Sequence, residues 1–230
     1  MTLYETIFTR RSVRKFDMNS LDETYLAEIQ EALDAAPQLP WQSASFEIVY
    51  ANELRGGFGP YAILAYADDN DGAKLNIGYT LQHMDLYLQS KGYGSIWCGA
   101  ASPKDPGDDY RILLNFGKTN VPPRAGENDF KRKKITDISN EDNAIARAAR
   151  LAPSAVNLQP WKLNFSDGKV TVISNVRGFG RLIPGKLHMF DLGIVLKHVE
   201  LAIKHEGKTI KSITPTKEGG ALAVEVAYRD

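Results

Sequence analysis

The sequence has a single cysteine, Cys98, in 230 residues. One thiol can form neither a disulfide within the chain nor a cysteine-based zinc site. That usage fits a reducing compartment, and a cytoplasmic location is expected. Charge of neither sign is in excess, with 28 Lys and Arg against 28 Asp and Glu. Nothing global therefore recommends nucleic acid or an anionic membrane as a partner. Apolar residues make up 43% of the chain, enough to bury a core. No run reaches the about 18 apolar residues that a membrane span needs. The opening "MTLYETIFTRRSVRKF" has no apolar centre of signal-peptide length.

Recognisable catalytic motifs are equally scarce. "RGFGRLIPG" carries Gly178 and Gly180, but Ile183 stands where a dinucleotide fingerprint needs its third glycine. There is no phosphate loop ending in Gly-Lys-Ser/Thr and no G-x-S-x-G elbow. The four histidines, His83, His188, His198 and His205, lack metal-ligand spacing such as H-E-x-x-H. Helix-packing or surface roles are expected for them, and no metal site. If this chain is an enzyme, a bound cofactor should carry the chemistry.

What is present, first, is repetition. "LNIGYTLQHMDLYLQSKG" (Leu75 to Gly92) matches "FDLGIVLKHVELAIKHEG" (Phe190 to Gly207) 115 positions later. Gly78, Leu81, His83, Leu86 and Gly92 meet Gly193, Leu196, His198, Leu201 and Gly207. Ile77, Leu81, Met84 and Leu88 recur as Leu192, Leu196, Val199 and Ile203, one apolar face of a buried helix ended by a stop glycine. Upstream, "SLDETYLAEIQEALDAAP" and "SNEDNAIARAARLAP" each read as a helix. Ser20 with Glu23 and Ser139 with Asp142 have capping-box spacing, and both runs end in Ala-Pro. The repetition predicts two related halves, residues 1–138 and 139–230, joined near Ile135 to Asn140.

"SFEIVYA", "YAILAYA", "YRILLNFG" and "ALAVEVAYRD" read as strands, and "WKLNFSDGKVTVIS" as a hairpin around Asp167-Gly168. "FGPY" and "TNVPPRAGENDF" read as loops. Helices and strands mix without a strict βαβ rhythm, so the expected class is α+β, with a sheet flanked by helices in each half.

Two segments carry candidate chemistry. In "TRRSVRKF", Arg10, Ser12 and Arg14 share one side if the segment is extended, and Arg11 lies within it. Two guanidiniums and a hydroxyl suit a phosphate, although the segment also reads as a solvated basic cluster. A second basic run, "FKRKK" (Phe130 to Lys134), ends the first half. In "LAPSAVNLQPW", Ser154, Asn157 and Gln159 offer hydroxyl and amide groups between two stiffening prolines. Such neutral groups suit a planar heterocycle, and the stretch also reads as an ordinary helix-capping turn. Its upstream counterpart, "AAPQLPWQ", lacks the Ser and Asn.

In combination these segments resemble the nitroreductase family of FMN oxidoreductases. "RRSVRKF" resembles its flavin-phosphate motif, "APSAVNLQPW" its facing loop, "KGYGSIWCGAA" its Gly-rich segment beside flavin N5, and "FKRKKITDI" its closing basic segment. The resemblance implies that Arg10, Ser12 and Arg14 grip the phosphate, with Arg11 within the motif, and that Lys131 and Arg132 belong to the closing basic segment, with that segment or Arg55 putting a cation near flavin N1/O2. It assigns Pro153, Ser154, Ala155 and Asn157 to the ring, and Trp97, Cys98 and Gly99 to the N5 side. "YANELR" nominates Asn52 and Arg55 near the pyrimidine edge. Typical members are intertwined homodimers with each flavin between subunits. Here the first half has the Arg-Ser-Arg motif and a degraded loop, while the second half has the loop and no such motif. The resemblance therefore implies a single-chain pseudodimer with one FMN site, monomeric or further dimerised. The implied activity is NAD(P)H oxidoreduction, with NADH or NADPH as donor and a small-molecule nitroaromatic or quinone acceptor in ping-pong order. The alternatives are an FMN-binding protein without turnover and a flavin-remodelling or dehalogenating relative.

Overall fold

The computed structural model describes residues 1–19, 21–176 and 187–230. The first half runs through helices α1 (Leu3–Ile7) and α2 (Glu23–Asp34) into strands β1 (Ser45–Tyr50), β2 (Leu54–Arg55) and β3 (Tyr61–Tyr66). The long helix α3 (Asp71–Ser90) follows, then β4 (Gly94–Cys98), β5 (Ser102–Pro103) and β6 (Tyr110–Gly117). The second half has α4 (Ile135–Ile138), α5 (Ala144–Arg150), β7 (Trp161–Ser166), β8 (Lys169–Ser174), the long helix α6 (His188–His205), β9 (Thr209–Glu218) and β10 (Ala221–Arg229). The α+β class expected from the sequence is the one observed.

Two four-stranded antiparallel sheets are ordered β1-β3-β6-β4 and β7-β8-β10-β9. In each, the long helix connects the second strand in chain order to the third. In each, the fourth strand inserts between them, giving spatial order first, second, fourth, third. The molecule thus stacks as sheet, helix, helix, sheet. Ile77, Leu81, Met84 and Leu88 pack on Ile63, Leu114 and Phe116 of the first sheet. Leu192, Leu196, Val199 and Ile203 pack on Leu163, Val172 and Val224 of the second. The apolar stripes read from the sequence are buried as expected.

The opposite faces of α3 and α6 meet each other at two glycines. A Cβ on Gly78 would lie 2.1 Å from the Phe190 carbonyl oxygen, and one on Gly193 would lie 1.9 Å from that of Leu75. Each glycine therefore touches the residue three positions before the other. Both helices end in the same way. Gly92 and Gly207 have φ of +87° and +75°. The Tyr93 N–H donates to Leu88 O at 3.0 Å, and that of Lys208 to Ile203 O at 3.2 Å, the Schellman arrangement.

Other expectations need correction. Ser20 lies outside the described residues, and α2 is capped by Asp22, whose carboxylate accepts from Thr24 N–H. Ser139 does not cap α5. Asn143, in extended conformation just before the helix, accepts from Ala146 N–H instead. Strands β4 and β9 were not foreseen. β9 carries Pro215 and is mostly exposed, a composition tolerated because it is the sheet's outer strand.

The glycine contact yields a stability prediction. Gly193→Ala should lower unfolding free energy by about 3 kcal/mol, because the clash is with backbone that cannot step aside. Gly99→Ala, whose added Cβ would find nothing closer than Leu187 Cδ1 at 3.7 Å, should change it by less than about 0.5 kcal/mol. Equal urea midpoints for the two variants would contradict the packing argument.

Candidate active site

A cavity of about 410 Å³ opens where the two halves meet, within the about 300–1,000 Å³ of small-molecule sites. The first half contributes Ser12 and Arg14 from the N-terminal segment, then Trp97 and Gly99 from β4 and its end. The second half contributes Pro153, Ser154 and Ala155, with Phe190, Asp191 and Ile194 from the start of α6. The sequence-nominated segments "RRSVR", "IWCG" and "LAPSAV" therefore do converge.

The facing loop is held in a costly conformation. Val156, Asn157 and Gln159 have φ of +43°, +59° and +47°, and they are the non-glycine residues of positive φ among the described residues. For a β-branched Val this is a genuine outlier, and Val156 is 76% exposed, so burial does not repay it. Side-chain locks do. Gln159 is buried, accepts from Lys133 N–H through Oε1 at 2.8 Å, and donates from its backbone N–H to Ser154 Oγ at 2.9 Å. Asn157 accepts from Arg132 Nη1 at 2.7 Å and donates to Lys131 O at 2.9 Å. The basic run "FKRKK" is thus the brace of the loop.

Several guanidiniums crowd beside that brace. Burial, and then the charges of Arg10, Arg124 and Arg150, push the Arg132 guanidinium down to about 10. Burial and the charges of Arg10 and Arg11 also lower Arg124. Arg124 and Arg132 both lie over the Phe130 ring, at 4.5 and 5.4 Å from its centroid. Arg132 Nε and Arg10 Nη2 are buried N–H groups with no acceptor among the described residues. Guanidinium N–H groups left without acceptors are of the chemistry that suits an anion.

Arg10 departs from the expectation that it shares a side with Ser12 and Arg14. It is 2% exposed, with Nε 2.8 Å from Asp85 Oδ2. The contact is ionic, since the N–H direction misses a hydrogen bond. Asp85 also accepts from Ser95 Oγ at 2.6 Å, Gln89 Nε2 at 3.0 Å and Gln82 Nε2 at 3.1 Å. Gln82 Oε1 takes the Trp97 indole N–H at 3.2 Å. This buried network fixes both the Arg motif and the Trp97 wall. Gln82 also meets His198 Nε2 at 3.2 Å, while His198 Nδ1 lies 2.9 Å from Ala148 O. Burial lowers His198 to about 3 and His83 to about 4, as packed neutral histidines.

Other nominated residues lie elsewhere. Arg11 donates to Pro122 O at 2.9 Å and does not line the cavity. Asn52 sits in a 3-10 turn beside Met18 and Pro60, and the exposed Arg55 pairs with Ser102 in a two-residue strand. Neither reaches the cavity, because β2 turns the "YANELR" segment away from it. The Cys98 side chain packs among Val49, Leu64 and Leu113 on the other face of the sheet. Lys131 is exposed and takes part through its carbonyl. No group of three metal-ligating side chains exists among the described residues. The Gly178 region lies outside them.

Two site residues escaped the sequence reading. Arg124 lies in a segment set aside as a loop. Asp191 is 3% exposed; its Oδ1 accepts from Ala155 N–H at 2.9 Å, while Oδ2 is buried with no hydrogen-bond partner among the described residues. Burial pushes its carboxyl up to about 7, against the lowering by the Ala155 N–H. The repeat could have found it, since Asn76 is its equivalent in the first half.

Paired antiparallel sheets around two glycine-packed helices, with a cavity between the halves, define a nitroreductase-like α+β fold. The chain belongs to the family described as "Putative TM nitroreductase", whose pattern matches residues 2–203. The chain is similar to a "putative nitroreductase" from Thermotoga maritima MSB8, at 23% identity and TM-score 0.74, covering 99% of this chain and 94% of that one. At that identity the likeness speaks for the fold. A nitroreductase family protein from Clostridium difficile 630 is 16% identical at TM-score 0.49, covering 62% of this chain and 100% of that one. An FMN-dependent nitroreductase from Clostridium difficile R20291 is 19% identical at TM-score 0.43, covering 57% and 95%. No curated protein matches the chain.

The loop geometry gives a second prediction. Val156→Gly should raise stability by about 0.5–1 kcal/mol. Left-handed strain of about 1–2 kcal/mol is relieved, less about 0.5–1 kcal/mol for glycine's added freedom. A lower melting midpoint would count against a strained loop.

Proposed function

We propose that the cavity binds FMN and that the protein is an NAD(P)H oxidoreductase of nitroreductase type. Its acceptors would be nitroaromatics, quinones or similar small molecules. The observation that carries this reading is the joint wall of Ser12 and Arg14 with Pro153, Ser154 and Ala155. The residues suit the cofactor at both ends. The apolar wall of Ile96, Trp97 and Ile194 suits a planar ring, and Ser12 and Arg14 on the same cavity suit a phosphate.

When bound, the flavin supplies reversible hydride transfer. The chain's part is to orient and to complement charge. Arg14, the cation on the cavity wall among the described residues, would complement the negative charge of the cofactor. The backbone near Gly99 would offer a donor to the ring edge. Donor and acceptor would use one open face in turn, so ping-pong kinetics are expected.

The pseudodimer reading rests on the matching strand orders and on the reciprocal glycine contact. Residues 1–138 and 139–230 are the proposed halves, and the site between them needs no second chain. The first-half loop supports one site only. There Gln38 bonds Ala44 N–H and O, and accepts from Asn76 Nδ2 at 2.8 Å. That leaves its polar groups occupied locally.

Purified protein should be yellow and release about one FMN per chain. A colourless protein that cannot be reconstituted would overturn the reading, and two FMN per chain would overturn the single site. Arg14→Ala should weaken FMN binding by roughly tenfold, the scale of one charged hydrogen bond, and unchanged affinity would remove its assigned role. Anaerobic NADH and NADPH that both fail to bleach bound flavin would argue for a binder without turnover.

A further inference from the structure

The α6 carboxylate and its counterpart on α3 make an instructive pair. In the first half, Asn76 Oδ1 accepts from Leu39 N–H at 2.7 Å, and Asn76 Nδ2 donates to Gln38. In the second half, Asp191 Oδ1 accepts from Ala155 N–H at 2.9 Å. The same loop-to-helix hydrogen bond is thus made twice. The difference lies in the remaining atom. In the closed half it is an amide nitrogen with a partner inside the protein. In the open half it is a carboxyl oxygen, buried and unsatisfied among the described residues, on a residue that lines the cavity. If its only task were to tether Ala155, an Asn would serve without burying an ionisable group.

We propose that Asp191 is the proton donor of this site, with Oδ2–H facing an acceptor bound in the cavity and giving up its proton as hydride arrives. The proposal rests on the oxidoreductase reading above. Reduction of a neutral quinone to the hydroquinone consumes one hydride, which brings the electron pair, and one proton, which an acid must give to the oxygen that becomes anionic. The new O–H bond forms with the Asp191 proton, the Oδ2–H bond breaks, and the carboxylate regains a proton from solvent. NADH or NADPH would supply the hydride and its electron pair, with the flavin, when bound, as carrier.

The surroundings suit a carboxyl that stays protonated near neutrality. Burial raises it to about 7. Among the described residues, Arg14 is the other charged side chain on the cavity wall. The loop at Pro153–Val156 and the β4 residues Ile96 and Trp97 bring no titratable group to that wall. Leu187 and Phe190 separate it from Lys74 and Arg111, which line the next cavity, and Lys74 is itself paired with Asp69. The donor form is therefore present below about pH 7 and is lost as pH rises through that value.

Asp191→Asn is the informative variant, because Asn76 already makes the same tether. Without cofactor, ¹³C NMR of labelled Asp should show a carboxyl titrating near neutrality in the wild type and absent from the variant. An ordinary acidic midpoint would overturn the proposal. With FMN bound and reduced, mixing with a benzoquinone should give a wild-type oxidation rate that falls between pH 6 and 9. In the variant that rate should be roughly a hundredfold lower at pH 6 and flat with pH, on the scale of general acid catalysis. Reduction of the flavin by NAD(P)H should differ by less than about twofold. Equal oxidation rates and pH profiles in both proteins would overturn the assignment. If neither protein holds FMN, the oxidoreductase reading fails, and the NMR titration alone still decides whether Asp191 carries a proton at neutral pH.

Discussion

The close approach of α3 and α6 is the constraint on which the rest of the molecule depends. Two long helices can share a centre only where neither presents a side chain, and Gly78 and Gly193 provide that. With the backbones in contact there, each helix must turn its branched apolar stripe outward to its own sheet. The two sheets are then held at opposite ends of a four-layer stack, and their loops converge at the seam. The cavity is a consequence of that seam.

Polar groups buried at the seam do positional work. Asp85 gathers Ser95, Gln89, Gln82 and Arg10 around one carboxylate. Its equivalent, Glu200, accepts from Tyr79 and pairs with Lys197 and Lys204. Burial raises the Glu200 carboxyl, but the surrounding cations and the Tyr79 hydroxyl hold it down at about 2. Acids at matching places on the two helices thus do different jobs. One anchors the basic segment beside the cavity. The other neutralises lysines far from it. Each of these two carboxylates is met by several partners, which offsets the cost of burying it.

Much of the fold was legible because helical periodicity is a long-range signal, repeated over five turns and twice along the chain. The stop glycines and the hairpin at Asp167-Gly168 were legible for local reasons of backbone conformation. What escaped were elements defined by their neighbours. β9 is polar and carries a proline, so only its pairing with β10 makes it a strand. Caps Asp22 and Asn143 lie a few residues from the serines that have the better spacing. In the site, Ser12, Arg14 and the Pro153–Ala155 loop could be nominated from motif and resemblance. The directions of Arg10, Asn52, Arg55 and Cys98 were not legible, because packing sets them: Arg10 turns to the buried Asp85, and Cys98 to the face of its sheet away from the cavity. Asp191 was missed since an acid within an apolar helix looks like a surface residue until its burial is known.

The cavity's two walls belong to one covalent chain, and this alters how such a site can behave. A site formed between separate subunits empties when the subunits dissociate, so its integrity follows protein concentration. Here the facing loop and the basic segment are tethered, and their effective local concentration is set by the fold. Linkage also breaks symmetry. A substitution in one loop is not copied into the other, so Gln38 could seal one seam while Asn157 stayed braced beside the opposite one. The repeated architecture therefore leaves one half free to specialise as scaffold while the other keeps its polar surface.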